Sequence, residues 1–426
     1  MSIPPVSVVW TKEWPDVAIF AATYLGLALG GVPRTKLDRS AIALLGAIAV
    51  LLARRLSFND AMRQVSFPTV ALLISLMVIS AQLRLAGFYQ WVVMRIVEVA
   101  RRPRSLLWGV IAASAGLSAL FANDVICLIF TPVLCIALKR AGRDPVPYLM
   151  ALVTSSNIGS AATLIGNPQN MLISQTAHLS FFAYTAMVIP LVLAVLICDG
   201  LIIGWVYRRR LVAVVSVPGK LQPSHEKINP QWGIIRKTLF IMSLLLLAML
   251  LGDVLHLPIA ISAMTAAGLV MISRKTRPAD LFSLVSWNLI LLFVGLFIVV
   301  GDIQSRQLLD PVISHLASMG VHLEAFLPLS VVTLVLSNLV NNVPAVLLLK
   351  PVIPLSATLS WYVLAVISTF AGNFTMLGSI ANLLVSEQAK ANDVRLDYVE
   401  YLKVGVPITL LSVVLTVGYF TFIAHM

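Results

Sequence analysis

Apolar stretches recur along this chain at roughly the 17–25 residues that a helix needs to cross a bilayer. Their order is the same in both halves. In the first half the pattern predicts helices near 16–32, 39–53 and 67–84, then an amphipathic stretch at 88–101. An apolar hairpin follows (105–139, arms 105–121 and 124–139), then a helix over 146–179 broken around 159–168, and a helix at 182–207. The second half predicts 236–254, 257–273 and 285–303, an amphipathic stretch at 306–319, a hairpin at 324–356 with arms 324–340 and 343–356, a broken helix over 358–391, and a last helix at 402–424. The prelude Asp60…Val65-Ser66-Phe67 also returns, as Asp280…Val285-Ser286-Trp287.

Polar interruptions fall at matching places in the two copies. The first carries Asn123-Asp124, then Gly159…Thr163…Gly166-Asn167-Pro168; the second carries Asn341-Asn342, then Asn373…Thr375…Gly378-Ser379…Asn382. Free backbone groups and amides in hydrocarbon are costly unless they line a protected cavity. Paired interruptions of two halves are the pattern of a secondary transporter's midplane binding site. The expected fold is therefore all-α and integral to the membrane, with an N-terminal repeat (1–207), a basic linker (208–235) and a C-terminal repeat (236–426). Each repeat would hold five transmembrane helices and one re-entrant hairpin, with the broken helices at the midplane.

Composition agrees with a membrane protein, at 59% hydrophobic and 11% charged residues. The first apolar run follows Glu13 and Asp16 and lacks a small-residue cleavage pattern, so it reads as a span and not a cleavable leader. The net charge of +12 first suggests nucleic acid, but its distribution argues against that partner. If each hairpin returns to the side it left, one face receives nearly all of the Lys and Arg. The other receives only Lys12, Arg54, Arg55, Arg63, Arg306 and Lys350. Under the positive-inside rule this makes the two repeats inverted, the 208–235 linker cytoplasmic and both termini external. The basic charge is then a topology device facing lipid headgroups.

At these residues the chain resembles the ion transporter superfamily. The resemblance rests on Asn-Asp at the first tip, Ser156-Asn157-Ile158-Gly159 running into Thr163…Gly166-Asn167-Pro168, and Ser337-Asn338…Asn341-Asn342-Val-Pro344. It covers almost the whole chain. The likeness is closest to bacterial arsenite permeases and related anion permeases, with dicarboxylate and sulfate symporters more distant. The Ser-Asn-Thr tips of the dicarboxylate group are replaced here by Asn-Asp and Asn-Asn. The resemblance implies a homodimer working as an elevator in the bacterial inner membrane. Helices 16–53 and 236–273 would form the scaffold, hairpins and broken helices the moving part, and 88–101 and 306–319 the connecting arms. Phe88, Trp91, Val92, Ile96 and Val99 against Gln90, Arg95, Glu98 and Arg101 suit an interfacial helix.

The candidate substrate- or ion-binding residues are Ser118, Asn123, Asp124, Asn157, Gly159, Thr163, Gly166, Asn167, Asn338, Asn341, Asn342, Asn373, Thr375, Gly378, Ser379 and Asn382. Helix halves starting after Asp124, Asn167 and Asn342 would aim free N–H groups at the cavity, and halves ending near Asn157, Leu339 and Ala371 would aim carbonyls. Taken singly, any of these residues could equally cap a helix; four aligned clusters point to a site. Asp124, in an apolar hairpin without a cationic neighbour in sequence, is the candidate for the coupling proton, or for sodium if ionised. Asp302 is a weaker candidate.

The absence of Lys or Arg near these residues favours a small neutral or singly charged solute over a multiply charged anion. Arsenite and antimonite, mainly uncharged hydroxides near neutral pH, match that demand, as substrates of proton-coupled efflux. The alternative is a sodium- or proton-coupled permease for another small anion, such as sulfate or a carboxylate. Cys127, Cys135 and Cys198 lie in apolar runs and read as packing residues. The six scattered histidines lack metal-ligand spacing and no Walker motif is present. No enzymatic chemistry, cofactor or metal is expected, and any ATPase subunit would be a separate partner.

Overall fold

The computed structural model describes residues 14–31, 35–54, 57–100, 102–212, 229–318 and 322–426. Most of the expected linker, together with Lys12, Arg34, Arg55, Arg101, Lys220 and Lys227, lies outside the described residues. Every regular element among the described residues is helical.

The first half contains α1 (Trp14–Leu29), α2 (Arg39–Arg54), short α3 (Phe58–Gln64), α4 (Phe67–Leu85), α5 (Phe88–Val99), α6 (Pro103–Leu120), α7 (Asn123–Arg140), α8 (Val146–Ser160), α9 (Pro168–Ala177) and α10 (Phe181–Val206). The second half contains α11 (Trp232–Leu250), short α12 (Gly252–Leu255), α13 (Ile259–Met271), short α14 (Pro278–Phe282), α15 (Trp287–Ser305) and α16 (Asp310–Ser318). It continues with α17 (Phe326–Val340), α18 (Asn342–Leu349), α19 (Thr358–Phe370), α20 (Ile380–Ala391) and α21 (Tyr398–Ala424).

Local sequence explains most of these boundaries. Proline stands in the first turn of α6, α8 and α9, where a missing N–H costs nothing. Ser180 and Asp397 accept from the backbone N–H groups of Ala183 and Glu400, each at 3.1 Å, and so begin α10 and α21. Gly87, at φ 78°, makes the left-handed turn that separates α4 from α5. The repeated preludes are the short helices α3 and α14. Ser57 caps α3 through the Asp60 N–H, and Asp280 reaches back to the Arg277 N–H before α14.

Five helices, α4, α10, α11, α15 and α21, are each long and apolar enough to cross a bilayer. Other expected crossings are shorter: α1 and α13 are single apolar helices below that length, and α8/α9 and α19/α20 are each divided in two. The hairpin turns also differ from expectation. The first turn is Phe121-Ala122, so Asn123 and Asp124 already belong to the returning helix α7. The second is Asn341 alone, with α18 starting at Asn342.

Packing exchanges partners between the halves. α2 lies along α15 while α4 lies along α13, and α7 meets α20 while α9 meets α18; within each half α6 packs on α8 and α17 on α19. The two final helices, α10 and α21, pack on each other. The result is one group of α1, α2, α4, α11, α13 and α15, and a second group holding both hairpins, both broken helices, α10 and α21.

Within the second group the α6–α8 contact is set by Gly159, where a Cβ would collide with the backbone of Ala115. Gly116, on the same helix pair, has open space around it. Gly159→Val is therefore expected to destabilise the detergent-purified protein by about 1–3 kcal/mol through overpacking, read as a lowered melting temperature. Gly116→Ala should leave the melt unchanged or raise it.

Candidate functional site

The interruptions meet at Asn157, in the last turn of α8. Its Oδ1 accepts from Asn123 Nδ2 at 2.9 Å and from Ser379 Oγ at 3.3 Å. Its Nδ2 donates to Asn373 Oδ1 at 2.8 Å and to Asn382 Oδ1 at 2.9 Å. One amide thus joins the first hairpin and both sides of the second break. Asn373 Nδ2 donates in turn to the Thr154 carbonyl at 3.1 Å. Asn382 Nδ2 serves the carbonyls of Gly372 (2.7 Å) and Thr375 (3.0 Å) and the Tyr401 hydroxyl (2.9 Å). These are the carbonyls that a broken helix leaves without intrahelical partners.

The first break is closed by a matching set, completed by Thr369 from the other half. Asn167 Oδ1 accepts from the Asn170 N–H at 2.9 Å, capping α9, while its Nδ2 reaches Ser160 O at 3.2 Å and Thr369 Oγ1 at 3.1 Å. Asn170 Nδ2 serves the Thr163 carbonyl at 3.1 Å and Tyr184 Oη at 3.3 Å. Thr369 in α19 thus stands to the first break as Asn157 in α8 stands to the second. Asn170, Thr369, Tyr184 and Tyr401 were not among the residues expected from sequence. The repeat would have found two of them: Asn170 follows Asn167 at the interval by which Asn382 follows Ser379, and Thr369 precedes Ser379 as Asn157 precedes Asn167. The tyrosines come from the next helices at unequal spacing, which no repeat of intervals marks.

The other expected residues have definite places. Ser118 pairs with Ser156 at 2.8 Å, and Thr163 Oγ1 donates to the Ala119 carbonyl at 2.5 Å, so both tie broken helix to hairpin. Asn338 does the same in the second half, donating to Ala371 O at 3.1 Å and accepting from Thr375 Oγ1 at 3.0 Å. The space a side chain would need at Gly166 holds the carbonyls of Ser160 and Ser118, and at Gly378 it holds Asn338 Oδ1 at 2.7 Å. These glycines, with Gly159, let backbones close around the breaks. Asp302, buried at the end of α15, lies 3.4 Å from Arg306 Nε, in a cluster with Asp16 and Arg54 away from the cleft.

A half-open cleft lies between this lattice and α15. It is lined by Asn123, Asp124, Gln169, Asn341, Asn342 and Ser379, with Leu289 and Leu292 from α15 opposite. None of its lining residues is Lys or Arg. Three polar groups here are uncommitted. Asn341 Nδ2 and Asn342 Oδ1 are buried without hydrogen-bond partners among the described residues, and no described residue bonds the Asp124 carboxylate. Asn341 also holds φ at 81°, a left-handed value uncommon for a side-chain-bearing residue. Strain and unpaired polar atoms therefore coincide at one tip, while its counterpart Asn123 is bonded into the lattice.

The sequence profile of a family described as citrate transporters matches residues 24–371. The chain belongs to the citrate transporter family. This places it in the ion transporter superfamily, as the tip and break motifs imply, and makes it a membrane transporter, not an enzyme. Among its relatives, the silicon efflux transporter LSI3 of Oryza sativa subsp. japonica is 29% identical, with 92% of this chain and 94% of that protein aligned. The inner membrane protein YbiR of Escherichia coli (strain K12) is 30% identical over 78% of this chain and 82% of its own. In fold, this citrate transporter family member is similar to the solved Neisseria gonorrhoeae MtrF, an antimetabolite efflux pump. The TM-score is 0.61 at 10% identity, over 99% of this chain and 95% of that one.

Removing the Asn157 amide would strand Asn123 Nδ2, Asn373 Oδ1 and Asn382 Oδ1, at about 1–3 kcal/mol for each buried group. Asn157→Ala should therefore lower the melting temperature of the purified protein far more than Ser118→Ala, whose partner Ser156 also has the Asn123 carbonyl at 3.4 Å. Equal melts for the two variants would refute the hub.

Proposed function

We propose that this member of the citrate transporter family is a proton-coupled exporter of arsenite or antimonite. The observation that carries the reading is the pairing of a free donor, Asn341 Nδ2, with a free acceptor, Asn342 Oδ1, in a cleft lined by no cationic residue. A small hydroxide both donates and accepts and brings no charge to neutralise, so it can bond either kind of group. The silicon efflux named in a relative is chemically close, because silicon in neutral water is also an uncharged hydroxide.

Asp124 is the proposed proton site. It lines the same cleft without an ion-pair partner, and an acid in such a place is a functional candidate by default. A protonated Asp124 would present a donor to the substrate and an ionised one an acceptor, so its charge state and occupancy of the cleft are linked. The thiols are assigned no ligand role: Cys127 and Cys135 are buried in α7 and absent from the cleft lining.

The elevator reading is supported by the position of the cleft, between α15 of one helix group and the tips of the other. Exposed apolar side chains on the first group (Leu25, Leu45, Ile48, Phe240, Leu244, Ile261) suit a homodimer interface or lipid. In the proposed setting, an inner membrane, the charge distribution puts both termini outside.

The family name favours a second reading, sodium- or proton-coupled uptake of citrate or another small anion such as sulfate. With no Lys or Arg lining the cleft, a polyanion would need cations bound with it, on the carbonyls at the helix breaks.

Purified protein in proteoliposomes should move arsenite saturably under an imposed proton gradient. Asp124→Asn should cut that driven flux about tenfold or more while leaving folding intact, as expected for loss of an intramembrane coupling acid. Cys127→Ser should retain the flux; its loss would make the thiol a ligand. Absence of arsenite movement, with sodium-driven uptake of citrate or sulfate, would select the second reading.

A further inference from the structure

α10 carries an acid that this mechanism does not use. Asp199 lies within the span Phe181–Val206, is fully buried, and has no hydrogen-bond partner for either carboxylate oxygen among the described residues. α10 packs on α6, α8 and α21, and more lightly on α11 and α19. Tyr401 of α21 is the titratable side chain that interacts with Asp199, and Thr154 of α8 lies beside it. From α6 comes the apolar ring of Trp108, which fills the space beside Gly200. No ionisable group of α6, α8, α11 or α19 interacts with it among the described residues.

The two polar neighbours are not equivalent. The Thr154 hydroxyl donates its one proton to the Met150 carbonyl at 2.9 Å, so it offers Asp199 a lone pair and no donor. With that proton committed, a protonated Asp199 can donate to the free lone pair, so the neutral carboxyl fits the arrangement. An ionised carboxylate without a partner in a fully buried place would also be strongly disfavoured by desolvation. Tyr401 Oη accepts from Asn382 Nδ2, and its own proton has no acceptor among the described residues. It makes no hydrogen bond to Asp199 in this conformation.

Both neighbours lead to the hub. The Thr154 carbonyl accepts from Asn373, and Tyr401 accepts from Asn382; Asn373 and Asn382 are the two acceptors of Asn157 Nδ2. Asn157 in turn holds Asn123 at the cleft. A rearrangement of the lattice on filling or emptying the cleft must therefore change what Asp199 faces.

We propose that Asp199 is a second proton-binding site of the transport cycle, holding a proton in the conformation described here and releasing it when the lattice rearranges. On release the carboxyl O–H bond breaks and the proton passes to water, as the rearrangement of the lattice brings a donor such as the Tyr401 hydroxyl within reach of the carboxylate. The lattice amides transmit orientation, not the proton itself. The proposal rests on the reading of this chain as a proton-coupled carrier.

Two measurements on the full-length protein in lipid test it. Infrared spectra at neutral pH should contain a protonated-carboxyl band that persists in Asp124→Asn and disappears in Asp199→Asn. In proteoliposomes, Asp199→Asn, which copies the neutral acid, should fold normally and keep arsenite counterflow. It should lose about tenfold or more of the proton-driven flux, with Asp199→Glu restoring it. Driven flux in Asp199→Asn within about twofold of wild type, or no carboxyl band lost on that substitution, would overturn the proposal. If the wild type moves no arsenite at all, the substrate assignment fails, and the infrared band still decides whether Asp199 carries a proton.

Discussion

A broken helix inside a bilayer leaves carbonyls and N–H groups that neither lipid nor the helix itself can satisfy, and the rest of this structure follows from that cost. The solution is side-chain amides used in both directions. Asn382 and Asn170 each close the carbonyls of their own break, and each is held from the opposite half, by Asn157 and Thr369. Neither break is satisfied by its own half alone. The two repeats therefore have to assemble around each other, which accounts for the exchange of packing partners from α2–α15 and α4–α13 down to the broken helices.

The pseudo-symmetry is strict where backbone must be satisfied and relaxed where solute would bind. Thr163 and Thr375, Gly166 and Gly378, and Asn170 and Asn382 match in position and task. The tips do not. Asn123 is tied to Asn157, while Asn341 adopts a strained backbone and keeps its amide unpaired. An amide left unpaired in a buried place costs about 1–3 kcal/mol, and a bound hydroxyl would recover that cost. The asymmetry sets the second tip apart, as the place the proposed site would use, within a lattice that otherwise has few uncommitted atoms among the described residues.

Much of this was legible in the sequence. Apolar run lengths gave the helices to within a few residues, and polar residues in apolar context marked both breaks and both hairpins. The tips lie one or two positions from where the pattern puts them. Periodicity cannot separate a loop from a first helical turn, and Asn123 and Asp124 lie in that turn. Glycines were harder to assign. Gly159 and Gly166 stand in the right motif, yet what fills their missing side chains, Ala115 backbone and the Ser160 and Ser118 carbonyls, is tertiary information. Asp199 escaped because it stands alone in an ordinary apolar span with no repeated counterpart. Its importance appears only when Thr154 and Tyr401 arrive from other helices.

How the two helix groups are held bears on whether one can slide past the other. Within the hairpin-and-break group the ties are strong and many. Beyond the amide lattice, Arg210 bonds both Asp144 and Glu400, and Lys139 bonds the Asn392 carbonyl at 2.6 Å. The other group has its own clasp, in which Asp16 pairs with Arg54 and approaches Arg306, which also holds Asp302. Across the boundary, side-chain bonds among the described residues include Tyr24 to the Pro344 carbonyl at 3.2 Å, Gln304 to the Leu347 carbonyl at 3.1 Å, and Ser180 to Asp253 at one edge. The cleft opens on that boundary, where Leu289 and Leu292 face the tips. Apolar side chains slide past one another without stranding donors, whereas moving one broken helix alone would strand several at once. On the proposed elevator reading, the cheaper motion would therefore carry the whole amide lattice as a unit along the leucine face of α15.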